Sequence, residues 1–293
     1  MTAGALAALD ARIRDYGDRA VVAFSGGVDS SVVLALAARA LGTADVLAVT
    51  AVSPSYPAGE LRAAARVAAD LGVPHRVVRT HEVEREAYAR NDALRCYQCK
   101  AELYATLSRV VSSATAGAVV LAGANADDLA DVRPGLWAGE RAGVRNPLLE
   151  EGVGKDAVRA IARTLGLAVA DKPALACLSS RVEPGIRVTP EVLRRIDRAE
   201  GIVRALGFEI VRVRHRGDAA TVEVDGGSVE RLREHPRLRS ALEEIRALGW
   251  PRVEIEPEGY RQGGANRPPV PQVGRIPRVP GSEPSSPADA VRG

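Results

Sequence analysis

Residues 21–31, VVAFSGGVDSS, combine an apolar strand, a Ser-Gly-Gly turn and the start of a helix, an order that builds a cradle for phosphate. Gly26 and Gly27 let the backbone turn tightly and meet an anion without an intervening Cβ, while the first N–H groups and the dipole of the helix attract negative charge. Ser25, Ser30 and Ser31 add hydroxyl donors. Asp29 would repel phosphate on its own, but a Mg²⁺ bound to the phosphates requires carboxylate oxygen, so the segment predicts a Mg-nucleotide site. A Walker loop needs G-x-x-x-x-G-K-[ST], and no lysine stands near this turn in the sequence. Gly152-Val153-Gly154-Lys155 does not supply the motif: no glycine lies five positions before Gly154, and Asp156 follows where a hydroxyl is required.

The second chemistry-bearing set is Cys96 and Cys99 in RCYQCK, with Cys177 in ACLSSR. Two thiolates spaced by two residues can bind one metal centre from a turn, and unrelated free thiols are the alternative. Three cysteines, an odd number, argue against a disulfide framework. Zinc would need a fourth ligand, with His75 or His81 available. Lys100 could stabilise a thiolate or a departing pyrophosphate, and Arg181 could neutralise a phosphate. Arg212 and Arg214 lie two apart on an expected strand, so both guanidinium groups share a face and could clamp a phosphate or stand solvated. Asp127, Asp128 and Asp131 follow Gly123-Ala124-Asn125-Ala126 and suit either Mg²⁺ or a helix cap, with Gly123 and Asn125 at the nucleotide and Asp128 at the metal as the favoured residues.

Strands alternating with helices must position these groups. Helices are expected over 28–41 and 60–71, and strands over 46–52, 76–79 and 118–122, which implies a doubly wound parallel α/β sheet with ligand groups at the carboxyl ends of its strands. This domain is expected over 1–172, followed by a linker over 173–188 carrying Cys177. Beyond it, Thr189 and Pro190 start a helix that Gly207 stops. Alternating segments over 208–214 and 221–225 read as a hairpin, 229–248 as a helix broken near Pro236, and 252–256 as a last strand, giving a smaller α+β domain over 189–266. Proline, glycine, serine and charge without a period predict a disordered tail over 267–293.

With 293 residues, 46% hydrophobic and 26% charged, the chain is long enough for two cores. Its cations are nearly all arginine, since Lys100, Lys155 and Lys172 are the only lysines. A net charge of +3 and 3% aromatics give little to grip or stack nucleic acid. No apolar run reaches membrane-spanning length, and no secretory signal opens the chain, so a cytoplasmic location is expected, with no nucleic-acid and no membrane partner.

SGGVDS resembles the pyrophosphate loop of N-type ATP pyrophosphatases, which cleave ATP between α- and β-phosphates. Taken with SPSYP at Ser53, RCYQCK, GANADDLADVRPG at Gly123, DKPALACLSSR at Asp171, RVRHRGD at Arg212 and GYRQGGAN at Gly259, it resembles one family in order over about residues 1–266. This is LarE, the ATP-dependent sulfur transferases of nickel-pincer cofactor synthesis. The resemblance implies adenylation of the carboxylates of pyridinium-3,5-biscarboxylic acid mononucleotide and their conversion to thiocarboxylates. It assigns the substrate phosphate to Arg212 and Arg214, and a divalent metal to Glu200. Members with only the cysteine matching Cys177 sacrifice its sulfur and leave dehydroalanine. Members with three look like holders of a [4Fe–4S] cluster, here on Cys96, Cys99 and Cys177, whose open iron carries sulfide from a donor. The resemblance also implies a homo-oligomer, of the size of a hexamer. A tRNA thiolation enzyme and a nucleotide sensor without turnover are the competing classes.

Overall fold

In a computed structural model, residues 3–130, 134–173 and 176–261 are described. Met1–Arg261 forms one compact unit. The tail expected to be disordered over 267–293, and Asp131, lie outside the described residues.

Four parallel strands, β1 (Ala20–Ala23), β2 (Val46–Val52), β3 (His75–Arg79) and β4 (Val119–Leu121), form a sheet in the order β3-β2-β1-β4. β1 is central, with Ala20 facing both Val46 and Val119 in register. Its sequence AVVA is short, apolar and β-branched, as a strand covered on both faces must be. Helices cover the two faces. α1 (Ala3–Asp15), α2 (Val28–Leu41) and α3 (Glu60–Asp70) contribute to one core with Ala20 and Val22. On the opposite face Val21 packs with Tyr104, Leu107 and Val110 of a long helix. That helix is α5 (Arg95–Ala114), preceded by the single turn α4 (Glu86–Ala89). Further along come α6 (Pro134–Arg141), α7 (Pro147–Glu150) and α8 (Lys155–Thr164).

Strand order runs outward from β1 to β2 and β3, then jumps to β4 on the other side. In sheets of this kind the carboxyl ends of the strands flanking such a reversal, here β1 and β4, are the usual ligand position. The expected doubly wound α/β sheet is the observed one, and its strand bounds agree with expectation within a residue.

A second sheet holds β5 (Val211–Arg216), β6 (Ala219–Val224) and β7 (Arg252–Ile255). β5 and β6 form the expected antiparallel hairpin, and β7 joins β6 in parallel after the crossover through α10 (Val229–Arg233) and α11 (Leu238–Ala247). The sheet packs on α9 (Pro190–Arg204), whose N-cap Thr189 accepts from the Val192 N–H. β5 begins at Val211 and not at the expected 208: Phe208 is buried in the core beneath the sheet, outside its ladder. Among the described residues no helix is long and apolar enough to cross a membrane.

Candidate functional site

The loop between β1 and α2 is fastened by its own hydroxyls. Ser30 Oγ donates to the Gly27 carbonyl at 3.1 Å, accepts from the Ser25 N–H at 3.2 Å and lies 3.1 Å from Ser25 Oγ. Gly26 has a φ of 74°, and a Cβ there would stand 2.8 Å from Ala64 Cβ, so this turn both needs glycine's left-handed backbone and sits tight against α3. Gly27 is the N-cap of α2. From the β4 side, Gly123 approaches so closely that a Cβ would come within 2.8 Å of the Ser30 nitrogen. Ser31 is fully buried, and its hydroxyl has no hydrogen-bond partner among the described residues.

Asp29 occupies the first turn of α2, where a carboxylate complements the helix dipole. Asn125 Nδ2 donates to its Oδ1 at 3.0 Å, and Lys155 Nζ reaches its Oδ2 at 2.5 Å. Two neighbouring acids hold the surroundings. Asp127 Oδ2 accepts the Lys155 N–H at 2.8 Å and so fixes the start of α8, while Asp128 Oδ2 accepts the Asn125 N–H at 3.1 Å. The acids after β4 therefore act in a five-residue 3-10 turn, Ala126–Ala130, and not at the head of a regular helix. The Asp29 carboxylate at this helix end is the hard-oxygen donor that Mg²⁺ takes, so Asp29 fits the cation of a bound Mg-nucleotide, while Asn125 orients that carboxylate through its amide N–H and keeps its own oxygen on the Asp127 N–H.

The absence of a loop lysine holds in sequence but not in space. Besides Lys155, Lys172 donates to the Gly26 carbonyl at 3.2 Å and pairs with Glu60 at 2.5 Å. These contacts span 126 and 146 residues of chain, out of reach of a local motif. A compositional signal pointed at them. In a chain that otherwise uses arginine, the three lysines stand at the loop and beside the thiols, where a compact ammonium on a flexible stem differs from a planar guanidinium.

Residues 53–56 connect this loop to the thiol region. Tyr56 Oη donates to the Ser25 carbonyl at 3.0 Å, and burial pushes its hydroxyl up to about 12, so it stays a donor. One residue earlier, the Ser55 carbonyl accepts the Leu178 N–H at 2.8 Å. Cys177 is the N-cap of the 3-10 turn Leu178–Arg181. Ser53 and Ser55 hydroxyls both donate to Glu82 Oε1, at 2.5 and 3.0 Å, and Glu82 is buried.

Cys96 and Cys99 do not sit on a turn, as the spacing suggests, but in the first turn of α5. A helix places residues three apart on one side, so both thiols can face the same neighbourhood from regular structure. Cys96 is exposed, whereas Cys99 packs with the core that holds Val83, Tyr88 and Leu178. Burial pushes the Cys99 thiol up to about 12, with the Lys100 charge opposing the shift and Glu82 adding to it. The α5 start and the Cys177 turn are tied by Arg95, which donates to the Ser179 carbonyl at 2.9 Å and to Asn91 Oδ1. Asn91, at a φ of 58°, donates in turn to the Val182, Glu183 and Ile186 carbonyls. Tyr88 Oη, 2.6 Å from Ser179 Oγ, completes this seam. All three cysteines are free, and among the described residues no three His, Cys, Asp or Glu side chains gather as a ready metal-binding group. His75 lies 2.8 Å from Thr50 Oγ1, and His81 pairs with Glu84.

Beside the Cys177 turn lies an arginine cluster. Arg181 is buried, donates to the Ala176 and Cys177 carbonyls at 2.6 and 2.8 Å, and pairs through Nε with Glu200 Oε1 at 2.8 Å. Glu200, also buried, further accepts from Arg204 at 2.6 Å and the Val213 N–H at 3.2 Å, so its carboxylate orients two guanidinium groups. Arg214 pairs with Glu223 at 2.9 Å and donates to the Ser180 carbonyl at 3.0 Å. Arg212 is buried, donates to the Val211 carbonyl at 2.8 Å and lies over the Tyr260 ring. Burial first, and then the neighbouring Arg181 charge, lower its basicity. Among the described residues this cluster brings Arg181, Arg204, Arg212 and Arg214 together with Glu200 and Glu223.

A family model for asparagine synthase matches residues 8–136, the part containing the nucleotide loop. The chain is 40% identical over 250 residues to "Uncharacterized protein slr1717" of Synechocystis sp., covering 85% of this chain and 92% of that one. It is 33% identical over 261 residues to the pyridinium-3,5-bisthiocarboxylic acid mononucleotide synthase of Lactiplantibacillus plantarum, covering 89% of this chain and 93% of the synthase. Likeness at this level over nearly the whole length, with the parallel sheet and its nucleotide loop in place, makes the chain a member of the LarE family of PP-loop proteins.

Proposed function

We propose that this protein uses ATP to adenylate the carboxylates of pyridinium-3,5-biscarboxylic acid mononucleotide and replaces AMP with sulfur, giving thiocarboxylates. One observation carries the reading: a single segment, residues 53–56, is hydrogen-bonded at one residue to the phosphate loop and at the next to the turn after Cys177. An activated acyl group formed at the loop would thus stand near a sulfur centre and a cationic anchor. A carboxylate oxygen attacks the α-phosphorus and pyrophosphate leaves. A sulfur nucleophile then attacks the acyl carbon and AMP leaves, a far weaker base than the oxide that direct substitution would expel. Two rounds convert both carboxylates.

In this reading Ser25, Gly26, Gly27, Ser30, Gly123 and Asn125 receive the nucleotide, and Asp29 receives the Mg²⁺ that accompanies it. Lys155 and Lys172 supply positive charge for the phosphates. Arg212 and Arg214 take the phosphate of the mononucleotide, a dianion that paired guanidinium groups can clamp, with Arg181 and Glu200 orienting the cluster against Cys177.

For the sulfur source, the presence of Cys96 and Cys99 beside Cys177 favours a [4Fe–4S] cluster over sacrifice of Cys177, because one sacrificed thiol needs no partner pair. The described residues do not gather the three thiols into a preformed ligand group, so no chemical step is assigned to the cluster.

The test combines anaerobically purified protein, ATP, Mg²⁺, sulfide and the biscarboxylate. AMP and pyrophosphate formation dependent on that substrate, with thiocarboxylate product, is the expected result. Absence of AMP overturns the reading. Iron with acid-labile sulfide in the protein supports the cluster, whereas dehydroalanine at position 177 after turnover establishes sacrifice.

A further inference from the structure

Lys155 stands beside the nucleotide loop with its ammonium engaged by Asp29, the carboxylate placed above at the metal. Nζ stands 2.5 Å from Asp29 Oδ2, while Asn125 holds Oδ1 at 3.0 Å. The side chains are 30% and 23% exposed, so this ion pair borders solvent and can open without unpacking a core. Lys155 is also the first residue of α8, and its main-chain nitrogen is pinned by Asp127 at 2.8 Å. A fixed Cα with a four-carbon flexible stem lets the charged end move while the backbone stays put.

Resting on the nucleotide-site reading above, we propose that Lys155 is an exchangeable counter-ion that occupies Asp29 until a nucleotide-bound divalent cation displaces it. Metal therefore enters this site with ATP and not ahead of it. An ammonium and a divalent cation compete for one carboxylate oxygen, because their like charges repel at close range. In the nucleotide-free protein the tethered ammonium has the advantage, since its approach costs no loss of translational freedom. A triphosphate reverses the balance. It brings negative charge that receives both cations, so the metal takes Asp29 and the ammonium turns to phosphate oxygen. Asn125 keeps the carboxylate oriented through the exchange. The consequence is that free metal does not occupy an empty site, and the ammonium stands beside the phosphates once the nucleotide has bound.

The experiment is Mn²⁺ binding by electron paramagnetic resonance, with and without a non-cleavable α,β-methylene ATP, in wild type, Lys155→Met, Lys155→Arg and Lys155→Met combined with Asp29→Asn. Without nucleotide, Lys155→Met is expected to bind Mn²⁺ at least tenfold more tightly than wild type. Lys155→Arg stays near wild type because the charge remains, and the double variant loses the gain. With the analogue, the difference between wild type and Lys155→Met collapses. Equal nucleotide-free affinity in wild type and Lys155→Met, or a gain that survives in the double variant, overturns the exchange. Should Lys155→Met not fold, as judged by circular dichroism, wild type alone decides: tight nucleotide-free Mn²⁺ binding that Asp29→Asn removes refutes the proposal, and binding that needs the analogue supports it. Failure of wild type to bind the analogue at all would instead overturn the nucleotide-site reading beneath it.

Discussion

The nucleotide loop and the arginine cluster both gather groups that attract anions, yet they are built on opposite physical plans. The loop is mostly backbone: a left-handed Gly26, hydroxyl staples from Ser25 and Ser30, and the head of α2. Its one carboxylate, Asp29, pairs with a lysine at the edge of solvent. The cluster relies on charged side chains, and its central pair, Arg181 with Glu200, is 1% and 0% exposed. Backbone geometry can be encoded by a run of adjacent residues. A buried charge network draws its members from wherever the fold delivers them, and each depends on the others for its stability.

That contrast is open to breaking from both sides. Glu200→Gln should have the largest effect on the fold, because it leaves the Arg181 charge buried without its counter-charge. A loss of about 3–5 kcal/mol in unfolding free energy is expected, measured by urea denaturation. An effect within experimental error would mean that the cluster is held by its backbone contacts to Ala176 and Cys177. Asp29→Ala should do the reverse, with AMP formation falling on the order of a hundredfold to a thousandfold and the melting temperature nearly unchanged, since an ion pair at the solvent edge contributes little stability. Parallel losses of activity and stability in this variant would erase the distinction between the two regions.

The same contrast explains what could be read without coordinates. The parallel α/β sheet and the strand–turn–helix order of residues 21–31 were legible because each rests on short-range pattern: AVVA, the Ser-Gly-Gly turn, and alternating strand and helix lengths. Thr189 with Pro190 marked the start of α9 for the same reason. Three things escaped. Lys155 and Lys172 approach the loop only through the closure of the sheet, and a local motif cannot register a contact across more than a hundred residues. Cys96 and Cys99 were expected on a turn because C-x-x-C describes spacing and is compatible with a helical first turn as well. Glu200 and Arg181 were separate expectations, for metal and phosphate, and their mutual pairing arises from α9 packing against the Cys177 turn.

A smaller effect separates the two regions by ligand. Arg212→Ala should weaken binding of the mononucleotide by about 1.5–3 kcal/mol, the range for a hydrogen bond to a charged group, and leave ATP binding unchanged. Isothermal titration with each ligand checks it. Equal weakening of both would place Arg212 in the general stability of the unit and not at a substrate phosphate.

The smallest predicted effect tests how far the seam around Cys177 depends on the second sheet. His215 on β5 is buried, and its Nδ1 accepts the Trp250 indole N–H at 2.8 Å, so the folded ring is neutral. Burial, and then the charge of Arg195 stacked on Trp250, lower its pKa below the ordinary 6.5. A basic group with a depressed folded value contributes stability above its unfolded value and loses it as pH falls, because the unfolded chain takes up the proton first. The loss should therefore begin near pH 6.5 and grow toward acid. His215→Asn keeps an acceptor for the indole and does not titrate, so carboxylate effects common to both proteins cancel in the comparison. Between pH 8 and pH 5.5 the melting temperature of wild type is expected to fall by a few degrees more than that of the variant. Because the Glu183 N–H donates to the His215 carbonyl, and Asn91 holds the Glu183 carbonyl, acid should also raise the reactivity of Cys177 toward a disulfide probe in wild type relative to His215→Asn measured at the same pH. Parallel pH curves for the two proteins would show that the second sheet holds the thiol turn without help from this imidazole.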